Sequence, residues 1–134
     1  VALTMADARL LAPARRLAAS PAADVRARAV ALLGALGSED GLTIVVAALE
    51  DPEPAVRLSA LRALAGLVHW PAAPAVARRL QDGAWDVRRQ AALTLRAFGP
   101  PGLLFLRRLR DADDPVASAV ARYALDLAAA GVSS

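Results

Sequence analysis

Residues 51–67 read DPEPAVRLSALRALAGL, and residues 82–98 read DGAWDVRRQAALTLRAF. Set one above the other, they share Asp51 with Asp82, Val56-Arg57 with Val87-Arg88, Ala60 with Ala91, Leu64 with Leu95, and Leu67 with Phe98. Residues 20–36, SPAADVRARAVALLGAL, repeat the pattern with Ser20 at the Asp position, followed by Val25-Arg26, Ala29, Leu33 and Leu36. The step from copy to copy is 31 residues both times. A fixed period of this length marks stacked supersecondary units that bury their apolar faces against one another. A fourth copy starts near Pro115-Val116, 29 residues on, and keeps Val116, Val120, Ala124 and Leu127, with Ala117 where the Arg is expected.

Within each copy the matched apolar residues fall at i, i+4, i+8 and i+11, which is one stripe of an α-helix. The pattern predicts helices (B helices) over about 22–36, 53–68, 84–98 and 114–129. Asp114-Pro115 reads as an N-cap followed by a proline in the first helical position. Shorter apolar stretches lie between: Leu42 to Leu49, Pro74 to Leu80 and Leu103 to Leu109. These are the A helices, and each ends in Leu, one residue, then Asp. Gly37-Ser38, His69-Trp70-Pro71 and Gly99-Pro100-Pro101-Gly102 separate one pair from the next. Pro13 lies within a residue of Pro74 when shifted by two periods. It is therefore expected to open the first A helix, over about 13–19, with residues 3–11 forming a separate N-terminal helix. The chain starts with Val rather than Met, which leaves open that it is a piece of a longer one.

A two-helix unit of this length, with Asp closing helix A and Val-Arg opening helix B, resembles the HEAT repeat, in particular its short bacterial form found also in phycobilisome lyase subunits. The resemblance spans about residues 13–129. It implies an all-α fold, a right-handed α-α superhelix of about four two-helix repeats plus an N-terminal helix. The whole of 1–134 would form a single domain, with repeats at about 13–37, 38–69, 70–99 and 100–130. It also implies that Asp51, Arg57, Asp82, Arg88, Arg26 and Asp111 are rungs of a ladder between neighbouring repeats, structural rather than catalytic. The chemistry agrees: such an Asp sits beside unpaired N–H groups at the start of helix B, and an Arg has donors enough to bridge a carboxylate and a neighbour.

Composition narrows the function classes. Ala supplies 35 residues and Leu 22, while Phe, Tyr and Trp together supply five, and there is a single Ile. That mix favours helix over sheet. No Cys excludes thiol chemistry and disulfides, and a single His, His69, excludes a His-rich metal site. The di-iron hydroxylases built from HEAT repeats need repeated His-Glu pairs, which this chain lacks. HEAT-like proteins that excise alkylated bases use an Asp with Trp and Arg in a cleft; Trp70, Trp85 and Asp86 imitate that set only loosely, from turn positions. No cofactor signature is present, so none is expected, and the chain reads as not an enzyme. An accessory role in a lyase-type enzyme would rest on the repeat alone.

All 16 basic residues are Arg, against 13 acids, for a formal net charge of +3. The isoelectric point of about 10.9 follows from how high Arg titrates, not from a large surplus of charge. The exposed faces of the B helices carry Arg28, Arg62, Arg89, Arg96 and Arg122, and two turns carry Trp70 and Trp85. These are the candidate partner-binding residues, the bland alternative being a solvated helix face. Further arginines on the A helices (Arg78, Arg79, Arg107, Arg108, Arg110) divide the basic residues between surfaces. Nucleic acid recognition wants one continuous stripe. The expectation is therefore a protein-interaction scaffold in the cytoplasm with a protein partner, no membrane span, and nucleic acid disfavoured.

Overall fold

A computed structural model describes residues 5–130, the side chain of Ala6 apart. It is all-α, with no strand among the described residues. Eight α-helices follow one another among the described residues: α1 Met5–Leu17, α2 Ala23–Leu36, α3 Glu39–Ala47, α4 Pro54–Leu67, α5 Ala73–Arg78, α6 Trp85–Ala97, α7 Pro100–Arg110 and α8 Pro115–Ala129. The B helices expected from the period are α2, α4, α6 and α8. Helices α3 and α5 each wind out through a 3-10 turn, Ala48–Glu50 and Arg79–Gln81, and a further 3-10 turn, Trp70–Ala72, leads into α5. None of the described helices is long and apolar enough to cross a membrane.

The N-terminal region differs from expectation. α1 runs without a break through Pro13, so the separate N-terminal helix and the first A helix are one element. Proline deprives only the carbonyl four residues back of its partner. That carbonyl belongs to Arg9, which is exposed, so water can take the freed acceptor. Residues 3 and 4 of the expected N-terminal helix lie outside the described residues.

The helices gather into two compact units that divide after Leu67. In the first, α2 packs on α1, α3 and α4. Its buried residues include Ala29, Val30, Leu33, Val56, Ala60, Leu61 and Leu64, the stripe the sequence marks plus its flanks. α2 and α4 approach so closely that a Cβ on Gly34 would stand 2.5 Å from the Cβ of Ala63. In the second, α6 packs on α5, α7 and α8, burying Val87, Ala91, Ala92, Leu95, Phe98 and Leu106. Here a Cβ on Gly102 would fall on the carbonyl oxygen of Leu95, so α7 can lie against α6 only with glycine there.

The fourth copy has a different register from the one its sequence suggests. The B helices begin at Ala23, Pro54, Trp85 and Pro115, so the last step is 30 residues rather than 29. Val116 is accordingly 48% exposed while Ala117 is 1% exposed. Ala117 occupies the core position of Val56 and Val87. Ser118, not Ala117, stands where the other copies carry Arg.

Candidate functional site

The turns that join A to B helices share one construction. An oxygen of Ser20, Asp51 or Asp82 accepts the backbone N–H two residues on, that of Ala22 at 3.1 Å, Glu53 at 2.9 Å and Ala84 at 2.9 Å. These are Asx-type turns, which a short side chain with an oxygen can close locally. The Arg six residues on then folds back over the turn. Arg26 Nη1 donates to the carbonyls of Ser20 and Pro21, Arg57 Nη1 to those of Asp51 and Pro52, and Arg88 Nη1 to that of Asp82.

In the first unit one of these arginines also crosses to the next repeat. Arg26 Nε donates to Asp51 Oδ2 at 2.9 Å and Nη2 to Oδ1 at 3.0 Å, the paired geometry in which guanidinium and carboxylate match best. Burial works against the Asp51 charge, but the Arg26 hydrogen bond, the Glu53 N–H and the charges of Arg26 and Arg57 outweigh it. The carboxyl is held below its ordinary range. The same hydrogen bond raises Arg26 above the usual arginine value.

Asp82 lies buried, with Arg79 Nη1 at 3.3 Å from its Oδ2. Arg79 is a partner that the sequence does not single out. Asp111 departs from the ladder expected of it. It is exposed and touches the neighbouring Arg110 at 3.2 Å, while Asp114 caps α8 by accepting from Val116 N and Ala117 N. Ser118 Oγ donates to the carbonyl of Arg110 at 2.6 Å, closing this turn as the arginines close the others.

Among the described residues each unit has a groove between its B helices, and in the first unit a second, smaller one between α2 and α4, lined by Gly34, Ala35, Arg62, Ala63, Gly66 and Leu67, shares Arg62 and Ala63 with it. The larger groove between α2 and α4 has a volume of about 450 Å³ and is lined by Ala27, Arg28, Ala31, Ala55, Ser59, Arg62 and Ala63. Ser59 Oγ ties its two walls by donating to the carbonyl of Ala27 at 2.7 Å. The groove between α6 and α8 has a volume of about 340 Å³ and is lined by Trp85, Arg89, Ala119, Val120 and Tyr123. Counted from their first helical residues, Arg62 and Tyr123 hold the same place on α4 and α8. The two grooves are thus built alike, one walled by two arginines, the other by two aromatics and an arginine. Trp85 is 56% and Tyr123 46% exposed. The Arg88 guanidinium lies 5.5 Å from the Trp85 ring, which orients the indole from one side. The side chains of Arg28, Arg62 and Arg89 are exposed and form no ion pair or hydrogen bond among the described residues.

Four of the candidate partner-binding residues therefore line grooves: Arg28 and Arg62 in one unit, Trp85 and Arg89 in the other. Arg122 is exposed beside Tyr123 without lining the groove, Arg96 is half-buried in the last turn of α6, and Trp70 is exposed in a 3-10 turn. Tyr123 escapes a reading by sequence because the 29-residue alignment places it opposite Thr94, a buried position. No group of three or more His, Asp or Glu side chains placed to hold a metal ion occurs among the described residues.

The repeated pairs, the turn construction and the period agree with a family model of HEAT repeats, which matches residues 42–126. The chain belongs to the HEAT-repeat family. No curated protein matches its sequence. Among solved structures it is similar to human deoxyhypusine hydroxylase in complex with glycerol, with a TM-score of 0.69 and 24% identity. The match covers 87% of this chain and 42% of that one, so the HEAT-repeat chain spans less than half the length of its structural neighbour. At that identity the likeness is one of fold.

Proposed function

We propose that this HEAT-repeat chain is a non-catalytic scaffold that binds a partner protein along the exposed faces of its B helices. The observation that carries the reading is the pair of grooves, each walled by side chains that the fold leaves exposed. Trp, Tyr and Arg are the side chains that concentrate binding energy at protein interfaces, and Trp85, Tyr123 and Arg89 stand around one groove. Two of the chain's five aromatic residues are spent on this surface, where they contribute little to the core.

The test is capture of partners from the source cell with the chain and with groove variants. The reading expects a defined partner that is lost with Arg28→Glu/Arg62→Glu or with Trp85→Ala/Tyr123→Arg and retained by Arg107→Glu on α7. A partner insensitive to every groove variant, or no partner at all, would count against it. So would tight binding to duplex DNA that collapses between low and moderate salt, which is the mark of phosphate recognition.

A further inference from the structure

We infer that the groove between α6 and α8 is a docking site for an acidic segment of a partner protein, which seats an aliphatic side chain between Trp85 and Tyr123 and sets a carboxylate against Arg89. This rests on the scaffold reading and makes it specific. The groove offers an apolar floor, Ala119 and Val120, between two half-exposed aromatic rings. Its volume of about 340 Å³ is at the small end of ligand sites and suits one or two side chains of a peptide rather than a large ligand.

Charge sets the rest. Among the described residues Arg89 is the one cation in the lining, and no acidic residue lines the groove with it. Asp86 and Asp126, the acids of these two helices, are outside the lining. Arg88 adds a second positive charge behind the Trp85 ring. An apolar seat beside an unsatisfied guanidinium complements an aliphatic residue next to Asp or Glu. A nucleic acid strand is matched less well. It needs cations spaced along its backbone and free aromatic faces for its bases, whereas here one guanidinium lines the groove and one face of Trp85 is already covered by Arg88.

The groove is also particular to this unit. The first-unit groove has Arg62 at the position of Tyr123, and Ala23 and Pro54 begin the helices where Trp85 begins α6. Among the described residues, aromatic walls are found in the α6–α8 groove and in neither groove between α2 and α4.

The experiment selects from a display library of random 12-residue peptides on the 134-residue chain, then titrates the enriched peptides into Trp70→Phe, where Trp85 is the sole indole. Enriched peptides are expected to carry Asp or Glu within a few positions of Leu, Ile or Val. Binding is expected to move Trp85 emission to shorter wavelength. Tyr123→Arg and Arg89→Glu should each weaken it at least about tenfold, and Arg107→Glu should leave it within about twofold. Tyr123→Arg installs the residue that α4 already carries at this place, and an unchanged thermal midpoint shows that the fold is kept. The inference is overturned if enriched peptides lack acidic residues, if Trp85 emission does not move, or if both groove variants bind as the parent does. It is overturned equally if a twelve-nucleotide thymidylate strand, and no peptide, quenches Trp85. Peptides that depend on Arg28 and Arg62 instead would sink this site and leave the scaffold reading standing; failure to capture any partner from the cell sinks the scaffold reading itself.

Discussion

Arg26 and Asp51 are joined by two parallel hydrogen bonds, 2.9 Å and 3.0 Å, from one guanidinium to one carboxylate. The same carboxylate also accepts the Glu53 N–H. Three donors on one group make Asp51 the point where the start of α2 is tied to the turn before α4. Its folded pKa is depressed, so the stabilisation it gives is present above its unfolded value of about 4 and is lost as pH falls through the lower folded value. Asp51→Asn keeps the turn bond but loses the charge pair. It is expected to cost about 1 kcal/mol at neutral pH and to flatten the decline in stability below pH ~4. Urea midpoints of both proteins across that range check it; parallel curves would remove Asp51 from the ladder.

Arg57 closes its turn through two carbonyls, those of Asp51 at 2.7 Å and Pro52 at 3.0 Å. Arg57→Ala leaves both without that donor. We expect a loss of about 1–2 kcal/mol with the far-ultraviolet dichroism of the folded chain unchanged. A urea midpoint equal to the parent's would show that water replaces the guanidinium at no cost.

The ends of all four B helices can be read to within a residue, three because the copies repeat at one spacing with the same Val-Arg pair near each start, and the fourth because Asp114-Pro115 marks its cap. What identity misplaces is the register inside the fourth. Its A–B turn is a residue longer, 111–114 against 51–53 and 82–84, so Val116 aligns with Val87 although Ala117 is the residue buried there. That slip hides two features at once, the hydroxyl of Ser118 and the place of Tyr123 in a groove. Arg28, Arg62, Trp85 and Arg89 are legible because they lie off the apolar stripe in copies whose register is secure. The persistence of α1 through Pro13 is not legible, since it depends on the exposure of Arg9 rather than on any local propensity.

Val68 follows α4 with φ at 50°, where Gly37 and Gly99 follow α2 and α6 with φ at 70° and 76°. A β-branched residue is strained in the left-handed region that glycine adopts freely at helix ends. Val68→Gly is therefore expected to stabilise the chain by about 1 kcal/mol, in spite of the freedom glycine adds to the unfolded chain. A higher thermal midpoint checks this, and a lower one would show that the Val68 side chain contributes more than its backbone costs.

Two glycine substitutions should have opposite signs. Gly102→Ala drives a methyl group into the Leu95 carbonyl and must push α7 off α6, at a cost of about 3 kcal/mol or more. Gly66 lies within α4, and a methyl group placed on it would meet nothing within 4 Å. Gly66→Ala is therefore expected to stabilise by about 0.5–1 kcal/mol through helix propensity alone. Paired urea melts decide the matter, and equal effects at the two sites would contradict the close approach of α7.

The fourth repeat separates an alignment by identity from an alignment by structure. Identity suggests that Ala117→Arg restores a missing rung. The structure makes Ala117 a core residue at 1% exposure, where a guanidinium would be buried without a partner. That substitution is expected to cost about 3–5 kcal/mol and to unfold the second unit first. Ser118→Ala, one residue on, removes the 2.6 Å bond to the Arg110 carbonyl and should cost about 1–2 kcal/mol. Hydrogen exchange over α7 and α8 distinguishes the two positions. If Ala117→Arg leaves protection there intact while Ser118→Ala has no effect, the 29-residue register is right and Ser118 closes nothing.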